Sequence, residues 1–214
     1  MNDKTLRQDV IDELNWDPSI DSANIGVAVD NGVVTLTGHV ANYAQKFAAE
    51  KAAQRVKGVK ALAQDIEVRY AGVQAHADDQ IAARAVSVLD WDVIVPNAVK
   101  VKVSQGWITL SGEVDWEYQR RTAEADMRKL AGVKGVSNTI TIKARVLPSD
   151  VSTKIHDALR RYADLEASGV RISIDAGKVK LEGKVHSWRE RNAIEQAAWA
   201  APGVKAVDDR VMIS

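Results

Sequence analysis

A nine-residue string that recurs three times in register confines this chain to an architecture of small repeated units. It reads Gly32-Val33-Val34-Thr35-Leu36-Thr37-Gly38-His39-Val40, then Gly106-Trp107-Ile108-Thr109-Leu110-Ser111-Gly112-Glu113-Val114, then Gly177-Lys178-Val179-Lys180-Leu181-Glu182-Gly183-Lys184-Val185, at offsets of 74 and 71 residues. A second string, Gly58-Val59-Lys60, Gly132-Val133-Lys134 and Gly203-Val204-Lys205, keeps the same two offsets. Two anchors in constant register exclude chance similarity. The 214 residues therefore hold three copies, with expected extents 1–72, 75–145 and 147–214. Tyr70 to His76 and Arg145 to Pro148 are the joints, short enough that the copies should touch. A unit of this size buries a modest fraction of its surface and gains from such contact.

Hydrophobic periodicity gives the elements of each copy. Asp3, Asp78 and Ser149 or Asp150 are N-cap types ahead of helical stripes: Leu6, Val10, Leu14; Ile81, Ala85, Leu89; Val151, Ile155, Leu159. The alternating pairs Val27 and Val29, Val101 and Val103, Ile172 and Ile174 then predict a strand half-buried on one face. A turn ending in Gly32, Gly106 or Gly177 leads into a second strand burying Val34 and Leu36, Ile108 and Leu110, Val179 and Leu181. A longer helix follows from about Asn42, Trp116 and Ser187, stopped by Gly58, Gly132 and Gly203, and a third strand completes the copy. A strand-helix-strand crossover of this length places strands two and three parallel. The expected fold is α+β: three tandem αββαβ units, each a small mixed three-stranded sheet with two helices packed on one face. Strand order stays open.

The Gly-x-[Val/Ile]-x-Leu-x-Gly-x-Val hairpin, the helix with a central basic residue, and the Gly-Val-x-x-Val before the last strand resemble the BON domain (bacterial OsmY and nodulation) family in all three copies. The resemblance implies a bacterial module of osmotic-shock and envelope-stress proteins, found also in secretins and mechanosensitive channels. It implies attachment to phospholipid, and one cytoplasmic relative fused to a LysM domain is associated with potassium sensing. Osmotically inducible relatives carry export signals and many have two copies.

Composition narrows the function classes. Lys plus Arg equals Asp plus Glu, 29 against 29, so no global positive field would gather nucleic acid, and none is expected as a partner. There is no cysteine, which removes disulfides, thiolate metal sites and cysteine nucleophiles. The charged start, Met1 to Asp9, lacks a signal-peptide core, and no run reaches the about 18 to 20 apolar residues that span a bilayer. The expected compartment is the cytoplasm, or the periplasm for a trimmed mature chain.

No GxSxG, HExxH, Walker A or GxGxxG motif occurs. His39, His76, His156 and His186 fall at non-equivalent repeat positions, so no enzyme, cofactor or metal site is expected. Gly132-Val133-Lys134-Gly135 has the form of an RNA-binding GxxG loop but lies between helix and strand in one copy only. Lys46 and Glu50, Arg120 and Glu124, Arg191 and Glu195 are equivalent i,i+4 pairs and read as exposed helix salt bridges.

Aromatic residues give the binding lead. Tyr43, Trp116, Tyr118 and Trp188 gather at the start of the second helix, beside Arg120, Arg121, Arg189 and Arg191, and Trp107 stands on the outward face of the second hairpin. Such residues suit a membrane interface or a binding hot spot, and packing between copies is the competing reading. Trp16 and Trp91 read as lids on the core, and Trp199 as an inter-copy contact. The expected function is a non-enzymatic stress-associated module that attaches to a phospholipid surface or a protein partner. Two other readings stand beside it: a sensor closing around potassium or another small ligand, and a structural unit that self-assembles through strand edges.

Overall fold

The computed structural model describes residues 2–70, 77–143, 153, 155, 157, 158, 170–201 and 203–213. The chain divides into two compact units, Met1–Thr141 and Ile142–Ser214. The first repeat runs α1 (Asp3–Trp16), a 3-10 turn (Ser22–Asn24), β1 (Ile25–Asp30), β2 (Val33–Val40), α2 (Tyr43–Arg55) and β3 (Ala61–Val68). The second runs α3 (Asp78–Trp91), β4 (Lys100–Ser104), β5 (Trp107–Ser111), β6 (Glu113–Val114), α4 (Glu117–Arg128), β7 (Gly135–Asn138) and β8 (Thr141–Ile142). The third contains β9 (Val170–Asp175), β10 (Lys178–Val185), α5 (Trp188–Trp199) and β11 (Ala206–Ile213). Its first predicted helix is seen at Ile155, which is helical and buried, while Val151, Leu159, Ser149 and Asp150 lie outside the described residues.

Strand order is the same in all three three-stranded sheets, β1-β2-β3, β4-β5-β7 and β9-β10-β11, with the second strand central, and β6 and β8 pair as a separate two-stranded sheet. Each hairpin is antiparallel and each crossover pair parallel, as the helix between strands two and three requires. The central strand is the most deeply buried because it alone has neighbours on both edges; Val34, Leu36, Ile108, Leu110, Val179 and Leu181 are all 0% exposed. In the first two repeats both helices cover one sheet face. There α1 meets β1 and α2, α2 meets β3, α3 meets β4 and α4, and α4 meets β7. Alanine lines the inner face of α2 at Ala49, Ala52 and Ala53, which lets the helix lie close to the strands.

The hairpin turns place both central residues in the left-handed region: Asn31 and Gly32, Gln105 and Gly106, Ala176 and Gly177. That geometry is unfavourable for Gln and Ala, and in the first two repeats a carboxylate supports it. Asp3 accepts hydrogen bonds from the backbone N–H of Asn31 (2.8 Å) and Gly32 (3.2 Å). Asp78 accepts from Gln105 (2.7 Å) and Gly106 (2.9 Å). This corrects the capping role expected for these residues. Asn2 and Ala77 hold the N-cap positions, and Asp3 and Asp78 are the first helical residues, aimed at the turn. At the second hairpin glycine that the copies share, the chain passes against the preceding segment, since a Cβ on Gly38 would lie 2.0 Å from the Asn24 carbonyl oxygen and one on Gly112 2.3 Å from that of Ala98.

Candidate attachment surface

The second helix starts at a fixed point in every copy. Gln45, Gln119 and Glu190 each reach back to accept from the backbone before the helix, at Ala41 (3.3 Å), at Asp115 and Trp116 (3.0 and 3.1 Å), and at His186 (2.9 Å). Asn42 and Ser187 add side-chain caps of their own, while Trp116 occupies the cap position in the second copy. Of the nine residues read as a binding surface, Trp107, Tyr118, Arg121 and Arg189 are exposed. Tyr43, Trp116, Arg120, Trp188 and Arg191 are half-buried. Trp188 lies 5.2 Å from the Arg191 guanidinium, and its indole N–H is buried with no hydrogen-bond partner among the described residues. Trp107 stands on the opposite side of its sheet from α4 and does not join the helix cluster.

The shared basic residue of this helix ties helix to sheet, which corrects the i,i+4 reading for Lys46 and Arg191. Lys46 donates to the Ile66 carbonyl (2.7 Å) and Arg191 to Asp209 (2.7 Å). Arg120 closes on Glu117, three residues earlier, at 2.7 Å; Glu117 is the one buried charged residue among those described. The sheet answers from equivalent positions: Gln64 donates to the Lys46 carbonyl (3.1 Å), Asn138 to that of Arg120 (2.9 Å), and Asp209 accepts from Arg191. The Lys46 and Arg191 side chains are placed by β3 and β11, whereas the Arg120 guanidinium is held by its own helix and β7 meets only the Arg120 carbonyl.

Within the Met1–Thr141 unit the first two repeats meet along α2 and α4. The Arg128 guanidinium lies 3.6 Å from the centre of the Phe47 ring and also pairs with Glu124. The Tyr70 hydroxyl donates to the Val133 carbonyl. Burial raises the Tyr43 and Tyr70 phenols above the ordinary value, opposed by backbone hydrogen bonds at Val136 and Gly132. Tyr43 is thus a seam residue. Trp199, expected between copies, instead packs on the core of its own repeat, and its indole N–H donates to Glu195 at 3.3 Å.

The most exposed aromatic groups among the described residues are the two read from the sequence as lids on the core. Trp16 is 83% and Trp91 88% exposed, and beside Trp91 stand Val93 at 100% and Ile94 at 42%. The cause is local. Ile20 and Val95, at equivalent positions a turn further on, return to the core and fill the place a lid would take. The intervening loop is held by an aspartate in each copy: Asp17 accepts from the Ser19 N–H (3.1 Å) and hydroxyl (2.6 Å), Asp92 from the Ile94 N–H (2.7 Å). The Ser19 hydroxyl and N–H, with Arg55 after them, hold the Asp17 carboxyl below its usual range. The two tips differ in chemistry, Trp16-Asp17-Pro18-Ser19 against Trp91-Asp92-Val93-Ile94. Of these two, the second adds the exposed apolar side chains of Val93 and Ile94 to its tryptophan, with Asp92 between.

Among the described residues no group of His, Asp and Glu has the geometry to hold a metal ion. His39 is half-buried on the outward face of β2, His186 is exposed, and His76 and His156 lie outside the described residues. Gly132 and Gly135 of the GxxG string are a helix-terminating glycine at φ +94° and the first residue of β7. No helix among the described residues is long and apolar enough to cross a membrane.

Three hairpin-and-crossover sheets of one strand order define a tandem α+β module. The sequence pattern of the BON domain matches residues 2–70, 77–144 and 149–214, and the chain belongs to the BON domain family. It is 33% identical over 148 residues to "Osmotically-inducible protein Y" of Escherichia coli (strain K12), covering 67% of this chain and 74% of that protein. It is 29% identical over 118 residues to "Uncharacterized protein in gshII 5'region" of Anaplasma centrale, covering 52% of this chain and 78% of that one. Among solved structures, the C-terminal domain of CdsD, a structural protein of the type III secretion system of Chlamydia trachomatis, aligns over 100% of both chains at a TM-score of 0.28 and 16% identity. A likeness at that level carries no functional argument.

Proposed function

We propose that this chain is a non-enzymatic, stress-associated bacterial module that attaches reversibly to a phospholipid surface through the tip of α3. The family and the likeness to an osmotically inducible relative support the stress association. The run Trp91, Val93 and Ile94, projecting into solvent at the end of a rigid helix, carries the attachment reading. Tryptophan favours the membrane interface, where its ring is buried and its N–H stays wet. Burying these three side chains is worth about 5–8 kcal/mol before the cost of desolvating Asp90 and Asp92, enough for reversible but not permanent attachment. The flanking aspartates also make attachment depend on apolar insertion more than on headgroup charge. Within the first unit the exposed Tyr118 and Arg121 beside the half-buried Trp116 and Arg120, and separately within the second unit the exposed Arg189 beside the half-buried Trp188 and Arg191, supply weaker contacts with phosphate.

Flotation with phosphatidylcholine vesicles, with and without phosphatidylglycerol, tests the reading. The wild-type chain should float with both, and Trp91→Ser/Val93→Ser should stay at the bottom while keeping its circular dichroism. A wild-type chain that fails to float at any salt concentration removes the lipid reading and leaves a protein partner for the same tip.

A further inference from the structure

The sheet of the second repeat has an outward face, turned away from α3 and α4, whose chemistry differs from those of its two sisters. Register places Ser104, Trp107 and Gly135 in one row across the strands and Lys102, Thr109 and Ser137 in the next. The Trp107 ring lies flat on Gly135: a Cβ there would fall 2.3 to 2.7 Å from three ring atoms. One ring face is therefore held against backbone, and the residue remains 55% exposed. The side chains of Lys102, Ser104, Thr109 and Ser137 form no hydrogen bond or ion pair with another described residue.

The same face of the third repeat shows what a self-satisfied surface looks like. There Lys178 and Arg210 pair with Asp208, at 3.4 and 3.2 Å, and Lys180 pairs with Glu182 at 2.6 Å. A shallow cavity of about 340 Å³ lies over those groups, and Lys178, Asp208 and Arg210 of its lining are paired with one another. On the first repeat the outward residues Ala28, Thr35 and Ala63 offer neither ring nor cation. Among the described residues of these rows, the second repeat alone sets an immobilised ring beside unpaired hydroxyls and an ammonium group.

We propose that this face binds an acidic saccharide chain, with one sugar ring on the Trp107 indole and an acidic substituent at Lys102. The C–H face of a pyranose is apolar and matches a flat, one-sided aromatic platform. Serine and threonine hydroxyls donate and accept, as sugar hydroxyls do. Lys102 lies on the adjacent strand, diagonal to Trp107, within the about 7–8 Å that diagonal neighbours span, so a carboxylate or phosphate on the stacked sugar meets its ammonium. Single-stranded nucleic acid fits less well, because it needs several stacking rings and a basic groove, and here there is one ring on a chain of zero net charge. The site is separate from the α3 tip and does not depend on the lipid reading.

The test is an NMR titration of the 15N-labelled full chain, with the Trp107 indole signal assigned through Trp107→Phe. A short oligogalacturonate should shift that signal and the β4 and β5 amides saturably, whereas a neutral dextran oligosaccharide and oligo(dT) should bind more weakly or not at all. Lys100→Gln/Lys102→Gln, both on exposed positions, should raise the Kd about fivefold and reduce its salt dependence. Trp91→Ser should bind oligogalacturonate as the wild type does. The proposal is overturned by unshifted Trp107, by an unchanged Kd in the lysine variant, or by oligo(dT) shifting the same signals at lower concentration.

Discussion

Removing the Phe47 ring should loosen the first repeat from the second. Its partner Arg128 sits with the guanidinium 3.6 Å from the ring centre, and the arginine side chain is only 21% exposed. Cation–π pairs are worth about 0.5–1 kcal/mol in water and about 2 when desolvated, so this pair should contribute about 1.5 kcal/mol. The ring is half-buried. Losing that burial adds roughly half of the 1.5–3 kcal/mol of a fully buried ring, bringing Phe47→Ala to about 2–3 kcal/mol. Arg128→Ala also breaks the pair with Glu124, so neither single substitution isolates the contact. A double-mutant cycle does, and its coupling should be about 1–2 kcal/mol. Urea unfolding of the full chain, followed by tryptophan fluorescence, supplies the four free energies. Coupling below about 0.3 kcal/mol would refute the seam as an energetic contact, because it falls within the additivity expected of independent sites.

Asp78→Ala should destabilise the second repeat by about 1–3 kcal/mol, since two turn N–H groups lose a charged acceptor, and Asp3→Ala should act alike on the first; thermal unfolding measures both. Gly38→Ala should prevent the first repeat from folding, because its Cβ meets a backbone oxygen at 2.0 Å at φ +112°, whereas Gly26→Ala meets only the rotatable Thr37 hydroxyl at 2.7 Å and should be mild; circular dichroism distinguishes them. The seam should also open in alkali. Tyr43 and Tyr70 are raised above 10.0 by burial, so the folded state holds their protons longer than the unfolded one. Their stabilising contribution is complete below that value and is lost as pH rises through the raised pKa values. Absorbance titration of tyrosinate should show two late-ionising groups; ionisation of all tyrosines near 10.0 would contradict their burial.

The hairpins and helix stripes were legible because each copy repeats the same apolar positions, and periodicity depends on those alone. Strand order was not, since it rests on pairing between strands that periodicity does not encode. The exposure of the two helix-end tryptophans was misread because an aromatic residue after a helix suits a lid equally well; only the return of Ile20 and Val95 to the core decides that Trp16 and Trp91 point outward. The helix-to-sheet tie was hidden for a different reason. Its sheet partners Gln64, Asn138 and Asp209 share a place and not a residue type, while the misleading Lys/Arg and Glu spacing was the same in all copies. The seam left a trace in the sequence, in the aromatic Tyr43 and Phe47 where the later copies have Glu117 and Arg121, Trp188 and Asn192.

The central claim, that the tip of α3 enters the membrane interface, is tested most directly by 19F NMR of the chain labelled with 5-fluorotryptophan. It has six tryptophans, assignable by single substitution. With small bicelles carrying a nitroxide-labelled lipid, the Trp91 resonance should broaden first and most, Trp116 and Trp188 less, and Trp107 and Trp199 should stay sharp. Broadening of the second-helix tryptophans with Trp91 unaffected would contradict the claim.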